Sequence, residues 1–426
     1  MYIGTDIVKI SRIDGLIQNT IPLKVFTKSE ISYIETKSNK SQTTAGIFAA
    51  KEAVLKCLGT GLRLPLGDIC VMHKSSGEPY IVLCEKAKSY ANSLGIYEIE
   101  ISISHDGEYA IAAALANVDV HLKLYSRAIN RITDTVPGAI TAQDIASLLP
   151  KRKEDTHKGD YGRLFVLAGS EGLTGAAIMA CTSALRCGAG LITLGCSQEL
   201  NVIFESAMPE VMTKPLKSHN GIINLKDINL ITDSINKSDI CLAGPGLGRT
   251  DDITDIVSHI IQNTKVPCVL DADGIYALSK NPGALKDRKC PLILTPHIGE
   301  FACLTGLSTE DILANPEETA RAFAKEHALT LVLKSHKTLV CTKDGEVFRN
   351  LLGNPGMATG GSGDVLAGCI ASFLSQGRTM EDAAKLGVYI HSLSADMAAL
   401  QKGEYSLTPS DIIDFLPYAI KYSEEM

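Results

Sequence analysis

Two folded units of different class are predicted: an N-terminal α+β unit over residues 1–120 and a larger C-terminal α/β unit over 121–426 with a mostly parallel sheet. Three observations carry this. The chain has 426 residues, more than one core of ordinary size accommodates. Up to about residue 118, strand-like and helix-like stretches come as a strand, helices, a strand pair, a helix and a second strand pair, the order of an α+β unit. From Gly162 onward short apolar strands alternate with helical segments, the pattern of parallel strands joined by crossovers and covered on both faces.

Taken in order, "MYIGTDIVKI" alternates as a strand, and "TTAGIFAAKEAVLKCLGTG" has helical spacing with a glycine stop. "EIEISISHDGEYAIAAALA" is a hairpin turning at "HDG". Residues 119–158 mix polar, Pro and Gly residues with one short amphipathic piece, which suits a connection or the outer edge of the second unit, with the boundary near 120. The strands of the parallel sheet are "RLFVLAGS", "GLITLGC", "DICLAGPGLG", "VPCVLDADG", "PLILTPH", "LTLVLKS" and "TLVCTKDG". Such sheets bind ligands at the carboxyl ends of their strands. There stand "AGS", "GPGLG", "DADG", "TPHIGE" and "KSHKT".

Composition excludes several classes of function. No apolar run approaches the roughly 18 residues that span a bilayer, and the N-terminus lacks a basic stretch followed by an apolar one. The expectation is a cytoplasmic protein with no membrane partner. The net charge of -7 falls entirely beyond residue 118, because residues 1–118 hold 12 basic and 12 acidic side chains. A nucleic-acid partner, which needs a basic field, is therefore not expected. Twelve cysteines are scattered from Cys57 to Cys369 with no C-x-x-C pair and no zinc spacing, and read as reduced, buried small residues.

In the first unit Asp6 lies near the end of a strand, and Glu52 and Lys56 stand one turn apart on a helix. Spacing alone leaves two readings: two hard carboxylates that hold Mg2+ with a lysine at the phosphates, or solvated carboxylates with an ordinary Glu52–Lys56 ion pair. The ordered set "GTDIVKISRI", "FTKSE", "FAAKEAVLKCLGTG" and "ISISHDGEYAIA" resembles holo-acyl-carrier-protein synthase, the small 4'-phosphopantetheinyl transferase, over nearly all of residues 1–118. The resemblance implies that fold for this unit, with Asp6 and Glu52 as ligands of the Mg2+ that holds the diphosphate of coenzyme A (CoA). A serine of the acyl carrier protein then attacks the β-phosphorus, and adenosine 3',5'-bisphosphate leaves. It further implies that Glu52 takes the serine proton, directly or through a water, and that Lys56 neutralises phosphate charge. His105 would stand near the phosphates, its alternative being a structural turn residue. Arg12 would grip the acidic carrier protein, its alternative being a plain surface arginine. Ile47 departs from the arginine that the family often has before "FAAKEA", which bears on a CoA or carrier contact rather than on the metal.

In the second unit "NPGMATGGSGDVLAG" places glycines and Asp364 ahead of an apolar helix. Without side chains in the way, successive N–H groups and a helix N-terminus can wrap a phosphate. An aspartate there either takes a proton during phosphoryl transfer or merely caps the helix. "GMATGGSGDVLAG" following "GDYGRLFVLAGSEGLTGAA", "GPGLG" and "TPHIGE" resembles the ADP- or ATP-dependent NAD(P)H-hydrate dehydratases of the ribokinase-like superfamily, over about residues 125–420. The resemblance implies a three-layer ribokinase-like fold and a substrate, NAD(P)HX, whose nicotinamide ring has taken up water. The ring hydroxyl is phosphorylated from ADP or ATP, and phosphate then leaves. Asp364 would be the base, and Gly361 and Gly363 backbone donors to the phosphoryl group. Lys334, Ser335, His336, Lys337 and Thr338 would cradle the nucleotide, and Ala176, Gly246, His297 and Asp364 would line the hydrate pocket, with helix capping as the alternative for His297. Ser335 replaces the usual glycine after the lysine, which bears on the nucleotide contact. Asn354 is expected to close its loop through side-chain hydrogen bonds. In bacterial fusions an epimerase usually stands where the transferase-like segment stands here, so action on the S epimer is expected.

The two resemblances together imply a bifunctional homo-oligomer with independent sites. A small-molecule kinase in the C-terminal unit, or a silent assembly module in place of one site, are the competing readings.

Overall fold

A computed structural model describes residues 2–17, 24–96, 98–116, 136–149, 152 and 154–424. It forms two compact units, 1–130 and 131–426. The boundary expected near 120 lies in 117–135, outside the described residues.

In the N-terminal unit β1 (Tyr2–Lys9) is at the edge of a three-stranded antiparallel sheet. A ribbon of β2 (Ile69–His73) and β3 (Pro79–Leu83) follows, then β4 (Glu100–Asp106) and β5 (Tyr109–Ala116), which complete the sheet in the order β1-β5-β4. The expected hairpin turns at Gly107, whose φ is +53°. The helix Lys40–Leu58 covers the sheet and stops at Gly59, in the left-handed region at φ +69°. Small residues make this contact possible. Ala110, Ala112, Ala114 and Ala116 are buried on the covered face of β5. A Cβ on Gly4 would stand 2.0 Å from the carbonyl oxygen of Ala53. The opposite face leaves Ile3, Ile7 and Ile111 exposed.

The C-terminal unit is a nine-stranded sheet between helical layers. Its parallel strands are β6 (Arg163–Leu167), β7 (Leu191–Ser197) and β8 (Met212–Leu216). After a small hairpin of β9 (Ser218–His219) and β10 (Ile222–Ile223) come β11 (Ile240–Ala243), β12 (Cys268–Leu270), β13 (Leu292–Leu294) and β14 (Thr330–Leu333). β15 (Leu339–Cys341) and β16 (Val347–Arg349) run antiparallel at the edge. The order is β16-β15-β14-β13-β12-β11-β6-β7-β8. "TLVCTKDG" is a strand as expected, but antiparallel, because the turn 334–338 is too short for a crossover. Alternation along the strands sorts the core. Phe165, Leu167, Cys241, Leu270, Leu294 and Leu333 join the cluster formed with the helices Asp251–Asn263 and Ile298–Thr305. Ser362–Ser375 packs on Thr174–Arg186 and Met380–Lys402 and against β6, β11 and β12.

The strand order reverses between β6 and β11, so the loops that follow these two strands diverge from a common crevice. They are tied together there: Gly169 N donates to Pro245 O at 2.9 Å, and Ser170 Oγ donates to Gly246 O at 2.9 Å. All twelve cysteines are free thiols, most of them buried. No described helix is long and apolar enough to cross a membrane.

Candidate active sites

Asp364 lies in the first turn of the helix Ser362–Ser375, which follows the glycine-rich stretch at the carboxyl end of the sheet. The helix begins at Gly361, whose φ of +102° suits glycine and which provides no side-chain cap. Asp364 is therefore not the cap, and the first N–H groups of the helix carry its positive dipole end toward the crevice. A Cβ on Gly363 would come within 3.2 Å of Lys334 Nζ, so the glycine admits the lysine to the loop.

Lys334, at the end of β14, gives its ammonium to Asp271 Oδ1 at 2.7 Å and lies 3.9 Å from Glu300 Oε2. Asp271, at the end of β12, is 1% exposed and also accepts from Thr295 Oγ1 at 2.7 Å. Burial works against the charge on Lys334, but Asp271, Glu300 and Asp364 outweigh it and hold the ammonium above its usual range. Burial, then the charge of Asp271, pushes the Asp364 carboxyl up to about 7, with Lys334 opposing. This carboxyl can both take and return a proton near neutrality.

Neither spacing nor resemblance assigns a role to Asp271, Thr295 or Glu300. The available signal was their place at strand ends, in "DADG" and "TPHIGE". Asp273 of the same segment accepts from Gly248 N and Arg249 Nε, each at 2.9 Å, and fixes the loop after β11. Ala272 between the two aspartates is held at φ +46°, a conformation costly for a residue with a Cβ.

The other expected residues divide. A Cβ on Gly246 would meet Ala176 Cβ at 3.0 Å, so these two do come together. His297 is the N-cap of Ile298–Thr305: its Nδ1 accepts from Glu300 N at 3.1 Å, while Glu300 Oε2 accepts from His297 N at 2.9 Å. In Ser335, His336, Lys337 and Thr338 the turn is closed on itself, Ser335 Oγ donating to Lys337 O and Thr338 Oγ1 to Ser335 O. Asn354 closes its loop as expected, donating to Asp396 Oδ1 at 2.8 Å and accepting from Gly356 N at 3.1 Å.

In the N-terminal unit Lys56 Nζ donates to Asp6 Oδ1 at 2.7 Å and to Thr5 O at 2.9 Å. In place of the Glu52–Lys56 pair that spacing alone also allowed stands a pair across the helix–strand contact, because β1 brings Asp6 to the helix. Glu52 is half-buried. Burial, and then the charge of Asp6, hold its carboxyl above the usual carboxylate range, with Lys56 opposing. Two carboxylates that repel one another across two elements fit a divalent cation. His105 Nε2 lies 3.1 Å from Gln42 O and close over Gly46, six residues or about 9 Å along the helix from Glu52. Arg12 is exposed on the helix Ile10–Ile17. Lys51, adjacent to Glu52 in sequence, points the other way: fully buried, it pairs with Glu30 at 2.8 Å and donates to Val25 O and Leu66 O.

The 4'-phosphopantetheinyl transferase superfamily model matches residues 2–114, and the NAD(P)H-hydrate dehydratase model matches residues 164–418. Over 287 residues the chain is 39% identical to the bifunctional NAD(P)H-hydrate repair enzyme Nnr of Moorella thermoacetica, covering 67% of this chain and 54% of that one. It thus spans about half the length of that relative. It is 35% identical to the ADP-dependent (S)-NAD(P)H-hydrate dehydratase of Staphylococcus aureus, over 67% of this chain and 99% of that one. The ADP/ATP-dependent NAD(P)H-hydrate dehydratase from Bacillus subtilis, co-crystallized with ATP/Mg2+, superimposes with a TM-score of 0.60 at 30% identity, covering 68% of this chain and 99% of that chain. Through its C-terminal unit, with Asp364 and Lys334 at the carboxyl end of the sheet, the chain belongs to the NAD(P)H-hydrate dehydratase family.

Proposed function

We propose that the C-terminal unit restores NAD(P)H from the S epimer of its hydrate at the expense of ADP or ATP. The observation that carries this reading is Asp364, a carboxyl poised near pH 7 at a helix N-terminus beside Lys334. The N–H groups of Gly361 and Gly363 and the Lys334 ammonium hold the transferred phosphoryl group. Asp364 takes the proton of the ring hydroxyl as its oxygen bonds to phosphorus and the bond to the leaving nucleotide breaks. The ring nitrogen's electron pair then expels phosphate, and loss of a ring proton restores the double bond, giving NAD(P)H, AMP or ADP, and inorganic phosphate. Asp271 is a positioning residue that keeps Lys334 at Gly363. Ala176, Gly246 and His297 border the hydrate, and the turn Ser335–Thr338 the nucleotide.

The test is recovery of NADH absorbance from purified hydrate with ADP and ATP compared. Asp364→Asn should lower kcat by roughly 10²–10⁴-fold while nucleotide binding holds. A stable phosphorylated product without NADH recovery would instead identify a small-molecule kinase.

For the N-terminal unit we infer transfer of 4'-phosphopantetheine from CoA to a serine of an acyl carrier protein. Asp6 and Glu52 would hold Mg2+, which supplies charge neutralisation at the diphosphate. Lys56 adds a positive charge at the same place, Glu52 accepts the serine proton and Arg12 meets the acidic carrier. The exposed face with Ile3, Ile7 and Ile111 supports self-association of this unit. A mass increase of a carrier protein incubated with CoA, together with the solution mass of the chain, tests both statements. The reading places both activities in the cytoplasm.

A further inference from the structure

At the end of the sheet opposite Asp364 lies a cavity of about 1000 Å³, between the segment that enters β13, the turn that enters β14, the turn that leaves β15 and the start of the helix Met380–Lys402. It is distinct from the site already described: from Thr330 at its wall to Lys334 is four strand residues, about 13 Å.

The charges that line it do not balance. Lys343 faces Asp344 at 4.0 Å, and Glu381 is taken by Lys385 at 3.2 Å. Lys286, Arg288 and Lys289 remain, and among the described residues no ion pair engages them, with Glu326 the one other acid on the wall. The half-buried Arg288 spends its guanidinium on main-chain carbonyls, donating to Ala328 O at 2.7 Å and to Leu285 O at 3.4 Å. Burial lowers its pKa, with the Cys290 thiol opposing. The carbonyl of Ala328 is turned toward it by a left-handed backbone at φ +46°. His327, next in the wall, is held below its usual pKa by burial and by Arg288 and Lys286, against the pull of Glu326. A partly desolvated guanidinium flanked by two lysines and an imidazole that Arg288 and Lys286 repel is a positive site with Glu326 alone to set against three cations. Leu285, Leu292 and Met380 add apolar wall, and the volume suits a small metabolite.

We propose that this cavity binds a small phosphate-bearing anion, separately from the nucleotide at the other end of the sheet.

Inorganic pyrophosphate titrated into the intact chain at constant ionic strength, followed by NMR, tests this. Backbone amides of Lys289, Ala328 and Lys343 should shift saturably at millimolar probe or below, and the His327 ring should titrate at a higher pH when the probe is bound. Lys286→Glu combined with Lys289→Glu, both exposed side chains, should weaken these shifts at least about tenfold, as loss of two charge-assisted contacts requires. Shifts at Gly361 and Lys334 should be unaltered and report any binding at the active site separately. The proposal is overturned if the cavity amides stay still or drift without saturation, if the doubly substituted chain binds as tightly as the parent, or if sulfate produces the same saturable shifts at the same concentration.

Discussion

Asp364 carries its proton more tightly in the folded chain than it would unfolded, since its pKa rises from 3.8 to about 7. Below pH 4 the group is protonated in both states and costs nothing. Between pH 4 and 7 the unfolded chain releases the proton first, so stability falls as pH rises, and above 7 the full penalty is present, at most about 4 kcal/mol. Asp364→Asn lacks this slope. The C-terminal unit of the variant should therefore gain stability over the parent progressively from pH 4 to 7, with a constant advantage above, as denaturant melts across that range would register. A parallel pair of curves would mean that the carboxyl is not desolvated. Lys51 is a buried charge of the other sign: burial lowers its pKa, with Glu30 opposing across a 2.8 Å ion pair. Lys51→Met leaves Glu30 buried without its partner and should cost the N-terminal unit about 3–5 kcal/mol, while adding Glu30→Leu should recover much of the loss. Urea unfolding of the two variants separates charge matching from packing.

Helices bring the residues of each site together through small side chains. Gly368 lies one turn beyond Asp364 on the same helix, and a Cβ there would stand 2.2 Å from Ala180 O and 2.1 Å from Ser183 Oγ of the helix that carries Ala176. The two helices cannot both stay in place around an alanine. Gly368→Ala should destabilise the C-terminal unit by roughly 1–3 kcal/mol and reduce hydrate turnover more than nucleotide binding. A thermal melt paired with a kcat and KM measurement checks this; an unchanged melting temperature would show that the contact is slack. Much at this scale was legible in sequence. The seven strand segments, the hairpin at "HDG" and the helix stop at Gly59 all follow from periodicity and glycine placement. What periodicity does not carry is pairing across elements. Lys334 and Asp271 are 63 residues apart, so their ion pair exists only once β14 and β12 lie in one sheet. Lys56 and Glu52 look like a helical pair by spacing, yet Lys56 turns to Asp6 on a strand that spacing does not mention. The antiparallel edge could have been read from the five-residue turn 334–338.

Within one chain, the two units have separate cores and differently charged compositions, net 0 before residue 119 and -7 after it. Separate sites predict separable losses. Glu52→Gln should lower carrier-protein modification by at least about tenfold and leave NADH recovery untouched, and Asp364→Asn the reverse. Placed together they should give the product of the single effects, each activity assayed on the same sample. Loss of both activities in either single variant would reveal coupling. The buried Lys51 also bears on how the first part of this chain reaches its folded form. Its ammonium meets Val25 O, Leu66 O and Glu30, and Glu30 in turn accepts from Val71 N at 2.8 Å. Four stretches of chain, near residues 25–30, 51, 66 and 71, must come together to give both ions their partners. An assembly that buries Lys51 without Glu30, or Glu30 without Lys51, leaves a charge unpartnered in an apolar interior. A half-built N-terminal unit that buries one ion without the other is disfavoured, so closure of this unit should be tied to formation of the ribbon of β2 and β3, which supplies Val71 N to Glu30.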